Sequence, residues 1–181
     1  MKKTLLSAVM IASFGVAALA SLSVQAASSG TINFTGKVLA DTCTININGS
    51  STSTVALPTV MTAIFGSTVG TVAGATPFTI ALTGCDPNTT SAKMAFTGGA
   101  TIDTTTGNLK NATTSGGSNV EIQLLNSSNA VINTSSQANA PTIAVTNGAG
   151  STSLTAQYIS TASATTAGLV TSSVGFTLTY Q

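Results

Sequence analysis

The chain has 181 residues, of which 43% are hydrophobic, 4% are aromatic and 5% are charged, and it contains no histidine. Its 34 threonines and 23 serines favour β-strands, because the long side chains that usually fill exposed helix faces are nearly absent. A formal net charge of +1 cannot supply the basic surface that a nucleic-acid partner requires. Without histidine, ordinary acid–base catalysis and imidazole metal sites are also excluded. We therefore expect an all-β protein with no catalytic, cofactor or metal site.

The N-terminus has the pattern of a secretory signal peptide. Lys2 and Lys3 precede an apolar run over residues 5–22, and small residues follow it. We predict cleavage between Ala26 and Ala27. A retained membrane anchor is the alternative, since the apolar run approaches the length of a spanning helix, but the small-residue exit favours cleavage.

The two cysteines, Cys43 and Cys85, both lie beyond the predicted cleavage site. An exported chain with two cysteines most simply forms one intramolecular disulfide. A thiol nucleophile or a soft-metal site would need a neighbouring histidine or further cysteines, which the chain lacks. The sequence therefore predicts a structural disulfide.

Period-two alternation of apolar and polar residues predicts strands along the chain. The first such segment has its apolar or small residues at even positions: Ile32, Phe34, Gly36 and Val38. The parity then changes to odd at Cys43, Ile45 and Ile47, so one regular strand could not bury both sets on one face. We therefore predict a break near residues 39–42, with an N-terminal extension over 27–41 and a domain over 42–181.

Similar patterns predict strands around residues 55–57, 78–82, 94–96, 120–124, 154–158 and 174–180. Because proline cannot donate a backbone hydrogen bond, Pro58 means that the strand at residues 55–57 either lies at a sheet edge or ends there. The polar segments 104–118 and 126–140 are expected to be surface loops.

The last predicted strand needs a cover, because it places four large apolar side chains on one face: Val174, Phe176, Leu178 and Tyr180. The unassigned segment with a matching period is residues 32–38. This segment either folds back onto the last strand of its own chain or completes a neighbouring molecule.

The pattern resembles the structural pilins of chaperone/usher fimbriae, and the major rod subunit of type 1 fimbriae in particular. Residues 31–38 resemble the donor strand of that family, including a glycine among the alternating residues. Cys43 and Cys85 match the pilin disulfide. Gly168 and the penultimate Tyr180 match the C-terminal signature.

The resemblance implies an incomplete immunoglobulin-like sandwich that lacks its last strand and is completed in trans by donor-strand complementation. The donor residues would be Ile32, Phe34, Gly36 and Val38. The acceptor groove and C-terminal signature would comprise Gly168, Val174, Phe176, Leu178 and Tyr180. The implied partners are a periplasmic pilus chaperone, an outer-membrane usher and neighbouring pilin subunits in a homopolymer. The implied route runs through the periplasm to a fimbrium on the cell surface.

The leading hypothesis is thus a structural subunit that polymerises by donor-strand exchange into a surface fibre for adhesion and biofilm formation. The alternative is a monomeric secreted immunoglobulin-like binding domain with its N-terminal strand paired in cis. An enzyme would depend on a Ser/Lys dyad or a carboxylate pair, and the sequence has no recognisable motif for either.

Overall fold

The computed structural model describes residues 31, 33–36, 38, 43–49 and 54–181. Their regular structure consists of antiparallel strands and a short 3₁₀ turn at Thr62–Ile64. No helix in this described part of the chain is long and apolar enough to cross a membrane. The strands are β1 (Thr44–Ile47), β2 (Val72–Thr83), β3 (Ser91–Thr97), β4 (Leu109–Lys110), β5 (Val120–Leu125), β6 (Val131–Ile132), β7 (Thr142–Ala144), β8 (Gly150–Ser160) and β9 (Gly175–Tyr180).

The strands form two sheets. The larger sheet has the order β1-β2-β8-β5-β4, and β6 also pairs with β5. The smaller sheet has the order β7-β3-β9. Each pairing is antiparallel, so the chain is built from hairpins and longer returns between the sheets.

The core lies between the two sheets, because alternate residues of each strand point inward. From the larger sheet, β2 contributes Phe78, Ile80 and Leu82, which are all buried. From the smaller sheet, β3 contributes Met94 and Phe96. The two-residue periodicity in the sequence therefore predicts the correct inward face in both sheets.

Most of the predicted strands are present, but the strand predicted at residues 55–57 is wrong. Residues 54–60 form no strand, although Val55 and Leu57 remain half-buried between exposed neighbours. The alternation therefore identifies the inward face, while the hydrogen-bonded partner that would make it a strand is missing from the described residues.

The predicted polar loops also contain two short strands. Leu109 in β4 is 4% exposed and Ile132 in β6 is fully buried. Each of these strands has two residues, so neither is long enough to show a period in the sequence.

The chain divides into two units, of which Lys37–Gln181 holds the sandwich and Met1–Gly36 is the N-terminal one. The described residues of the N-terminal unit, 31 and 33–36, lie in no strand, and Phe34 is 89% exposed. In the second unit, Val38 is 96% exposed. Ala26, Ala27 and Ile32 lie outside the described residues, so their predicted roles remain predictions.

Candidate functional site

The last strand, β9, has one edge that no other described strand covers, because it pairs only with β3. Gln181 N–H donates to Ser91 O at 2.9 Å, and Ser91 N–H donates to Gln181 O at 3.3 Å. In an antiparallel ladder, such bonded pairs alternate with pairs whose backbone groups point away from each other. The backbone groups directed to the open side are therefore those of Phe176, Leu178 and Tyr180.

The same three residues turn their side chains towards the interior, where each is half-buried and packs against the core. Thr177 and Thr179 lie between them and are exposed. The open edge of β9 thus combines unpaired backbone groups with an incompletely covered apolar face.

A groove lies beside the start of β9, between residues 172–176 and residues 54–57. Its narrow part has a volume of about 390 Å³ and is lined by Val174 and Phe176 on one side and Val55 and Leu57 on the other. The core side chains that form its floor come from β2, β5 and β8: Phe78, Ile80, Ile122, Leu124, Leu154 and Ala156. The groove is therefore a gap in the sandwich that reaches down to the core.

The groove widens to a second part of about 840 Å³. The residues shared by both parts include Val55, Leu57 and Ile122, so the two parts adjoin each other. One side of the wide part is formed by residues 54–63 and the other by residues 165–172. At its rim, Met61 is 77% exposed and Leu169 is 65% exposed. Apolar side chains so exposed at the mouth of a cavity favour an apolar occupant.

Among the described residues, no charged side chain lines either part of the groove. Tyr158 lines the wide part, and burial raises the pKa of its hydroxyl. The groove therefore has no group that changes its charge near neutral pH, and its chemistry suits apolar side chains and backbone hydrogen bonds.

Glu121 and Ile122 lie on opposite faces of β5, and the carboxylate of Glu121 points away from the groove. Thr106 Oγ1 and Asn108 Nδ2 each donate a hydrogen bond to this carboxylate at 3.2 Å. Burial raises the pKa of Glu121, and these two hydrogen bonds partly oppose that effect. The backbone N–H of Thr105, which donates to Asp103, lowers the pKa of that neighbouring carboxyl. The charged groups are thus kept off the groove side of β5.

Gly168 lies in the second wall of the wide part, and the structure gives a reason for this residue type. A Cβ atom at Gly168 would overlap the backbone of Gly116 and Gly117. In the same way, a Cβ atom at Gly116 would overlap Leu169 O. The two loops therefore pack backbone against backbone, which requires glycine on both sides.

The predicted disulfide joins Cys43 to Cys85, with a Cα–Cα distance of 4.2 Å. It ties the start of β1 to the end of β2, next to the paired residues Thr44 and Thr83. The last residue of β1, Ile47, lines the narrow part of the groove. The disulfide thus anchors a strand that ends at the groove.

Three of the predicted acceptor residues, Gly168, Val174 and Phe176, line the groove, whereas Leu178 and Tyr180 follow on β9 and line neither part. Sequence reasoning missed the opposite wall, residues 54–60, as part of this site. It also missed Asn111, whose side chain hydrogen-bonds to the wall that contains Gly168. The alternation at Val55 and Leu57 could have indicated that residues 54–60 belong to the site. A single asparagine in a polar loop gives no such signal, so Asn111 could not have been found from the sequence.

The two antiparallel sheets, the disulfide and the open edge strand define an immunoglobulin-like β-sandwich of the pilin type. Comparison with known proteins agrees with this class. The profile of the fimbrial protein family matches residues 32–181. The chain is 43% identical to the F17 fimbrial protein of Escherichia coli, over 92% of this chain and 96% of that protein. It is 41% identical to the major fimbrial subunit SMF-1 of Stenotrophomonas maltophilia (strain K279a), over 86% of this chain and 94% of that protein.

A solved structure supports the fold. The Burkholderia pseudomallei antigen and type I fimbria protein BPSL1626 superposes with a TM-score of 0.54 and 28% identity, covering 83% of this chain and 97% of that chain. The chain therefore belongs to the fimbrial protein family and is a pilin of the chaperone/usher class. It is a structural pilus subunit, not an enzyme, and it polymerises with other pilin subunits in a surface fimbrium.

Proposed function

We propose that the groove accepts residues 32–38 of a neighbouring subunit as an added β-strand, so that the fibre grows by donor-strand exchange. The observation that carries this proposal is the open edge of β9, where the backbone groups of Phe176, Leu178 and Tyr180 have no strand partner and Phe176 lines an uncharged groove. Addition of a strand would pair those backbone groups and cover the apolar face in one step.

The N-terminal segment fits this groove in length and in chemistry. Seven residues in a strand span about 23 Å, which is comparable with the roughly 20 Å of the six residues of β9. Burial of Ile32, Phe34 and Val38 would contribute about 1.5 to 3 kcal/mol each before the cost of ordering the segment. Gly36 carries no side chain, so the segment can approach the groove closely at that position.

A single subunit with an open groove needs a cover before it assembles, because unpaired strand edges beside apolar surface promote aggregation. A periplasmic chaperone that lends a strand would supply this cover, and an outer-membrane usher would exchange it for the segment of the next subunit. A signal peptide over residues 1–26, cleaved before Ala27, would deliver the subunit to that compartment. The resulting fibre would serve adhesion and biofilm formation.

The donor segment is tested by two aspartate substitutions on opposite faces. Phe34→Asp places a charge on the face that would enter the groove, and we expect it to abolish the ladder of polymers from unheated surface material in SDS gels and the filaments seen by electron microscopy. Thr35→Asp adds the same charge on the other face and should leave both largely intact. Normal filaments with Phe34→Asp would contradict the proposal.

The acceptor strand is tested by a second matched pair. Leu178→Asp charges the inward face of β9, whereas Thr177→Asp charges its exposed face. We expect only Leu178→Asp to prevent a subunit from taking up a synthetic peptide of residues 27–41, measured by native mass spectrometry. A wild-type chain that stays monomeric, is stable without a partner and refuses the peptide would instead favour the cis-paired alternative.

A further inference from the structure

The wall of the wide part that contains Gly168 is not held by a strand ladder. Residues 166–171 instead hydrogen-bond to the loop of residues 111–119. Gly117 N–H donates to Leu169 O at 3.1 Å, and Ala112 N–H donates to Thr171 O at 2.7 Å. The backbone polar groups of the wall are therefore directed outward to this loop.

Asn111 is the centre of this connection, because its side-chain amide bonds to both segments. Asn111 Nδ2 donates to Gly117 O at 2.8 Å and to Leu169 O at 3.0 Å. Asn111 Oδ1 accepts from Thr113 N at 3.0 Å and from Thr171 N at 2.9 Å. Both N–H groups and both acceptor positions of the amide are thus used.

Such a connection solves a physical problem of the empty groove. A cavity of about 840 Å³ that exposes apolar side chains such as Val55, Leu57 and Leu169 to water should shrink, because burial of those side chains is favourable. The wall can move inward only if its outward hydrogen bonds break. Since several of these bonds converge on Asn111, this one side chain opposes the collapse.

We infer that Asn111 is a positioning residue that keeps the wide part of the groove open for the entering strand. This inference rests on the proposed function, because it concerns strand uptake by the same groove. A residue that keeps the empty groove open acts before the strand is bound. Its loss should therefore slow association, while the dissociation of a strand that already fills the groove should change little.

The test measures strand uptake by the full chain carrying Phe34→Asp, whose own donor segment is disabled. The probe is a synthetic peptide of residues 27–41. The chain has no tryptophan and two tyrosines, and Tyr158 lines the wide part of the groove, whereas the peptide has no tyrosine. Tyrosine fluorescence thus reports uptake without a label. Asn111→Ala removes all four hydrogen bonds of the Asn111 side chain. It should lower the association rate constant at least about tenfold, the factor that corresponds to the net contribution of about one hydrogen bond, and change the dissociation rate constant less than about twofold.

A matched control is Asn126, which also organises a polar loop. Asn126 Oδ1 accepts from Ser128 N and Ala130 N at 3.0 Å each, but the residue lines neither part of the groove. Asn126→Ala should leave both rate constants unchanged. Asn111→Asp keeps the two accepted hydrogen bonds but turns a carboxylate oxygen towards Gly117 O and Leu169 O, so its association rate should fall at least as far as that of Asn111→Ala. It also serves as the test variant if Asn111→Ala fails to fold.

Equal association rates for Asn111→Ala and the parent would overturn the inference, as would a change confined to dissociation or an equal slowing in Asn126→Ala. A parent chain that refuses the peptide would refute the proposed function instead. In that case, binding of the apolar dye 1-anilinonaphthalene-8-sulfonate decides the role of Asn111. A closed groove should bind less dye, so unchanged or increased binding by Asn111→Ala would refute it.

Discussion

The strands β7 and β9 are the two edges of the same three-stranded sheet, but they expose their backbones differently. β7 has three residues, directly follows Pro141 and buries Ile143 to 1% exposure. β9 has six residues, and its inward side chains remain only half-buried beside the groove. Natural proteins usually shorten or interrupt edge strands, since a long open edge invites pairing with other chains. Within one sheet, therefore, β7 is a short and well-covered edge, whereas β9 is a long edge that no described strand covers.

A third edge strand, β1, sharpens this contrast because a disulfide fixes it to the sandwich. Removal of the bond in Cys43→Ser/Cys85→Ser frees a loop with a sequence separation of 42 residues. We expect the free energy of unfolding of the isolated chain to fall by about 4 kcal/mol in the chain-entropy model. Guanidinium unfolding of this variant beside the oxidised parent measures the loss. Equal midpoints would show that β1 and the wall after it are held without the disulfide.

Alanine substitutions separate the well-covered edge from the open one. Ile143→Ala in β7 removes a fully buried side chain and should destabilise the isolated chain by about 2 to 4 kcal/mol. Leu178→Ala in β9 removes a half-buried side chain and should cost the isolated chain only about 1 kcal/mol. Chemical denaturation of both variants in the same background gives the two values.

The difference between the destabilisation caused by Ile143→Ala and that caused by Leu178→Ala should become smaller when the added strand is present. In the proposed complex, a peptide of residues 27–41 would cover Leu178 and not Ile143, so Leu178→Ala should lose a further ~1 kcal/mol of stability there. Ile143→Ala should lose the same amount with and without peptide. A Leu178→Ala penalty that does not grow on peptide binding would mean that β9 is already covered in the isolated chain.

Sequence reasoning predicted the inward faces of β2, β3, β5, β8 and β9, because each strand is long enough to show alternation. It also predicted the disulfide and the uncovered last strand. The strand at residues 55–57 failed for a physical reason: alternation reports which side chains point inward, whereas a strand also needs a hydrogen-bonded neighbour. The segment that lacks this neighbour is itself part of the site, since its residues 54, 55 and 57 line the groove.

Features that depend on contacts between distant loops were not predictable. Asn111 and Thr171 lie 60 positions apart in the chain, and nothing near either residue indicates that their polar groups meet. The same holds for Glu121. Its place on the outward face of β5 follows from alternation, but its burial depends on the covering loop that carries Asn108.

The smallest effect that we expect is a pH dependence of stability that comes from one face of β5. Ile122 faces the groove, whereas Glu121 faces away from it. Burial raises the pKa of Glu121 above its ordinary value of 4.5, so the folded chain holds this proton more tightly than the unfolded chain. Its contribution to stability is therefore largest below pH 4.5 and is lost as the pH rises through the folded pKa. The ionisation of Asp103 has the opposite effect on stability, because its pKa is lowered from 3.8 in the folded chain. Its contribution to the free energy of unfolding is lost only as the pH falls below that value, so it is constant above about pH 5.

We therefore expect the isolated chain to unfold more easily as the pH is raised above 5, and Glu121→Gln to reduce this dependence. Denaturation at several pH values measures how the free energy of unfolding of the parent and of Glu121→Gln changes with pH. The other charged group near Glu121 and Asp103 in the described residues is Lys110. Peptide uptake by the groove should stay constant over the same range, because its one titratable lining residue, Tyr158, has a pKa raised above 10.0. A matching pH dependence of uptake would show that the charged face and the groove are coupled, and the separation of the two faces of β5 would be lost.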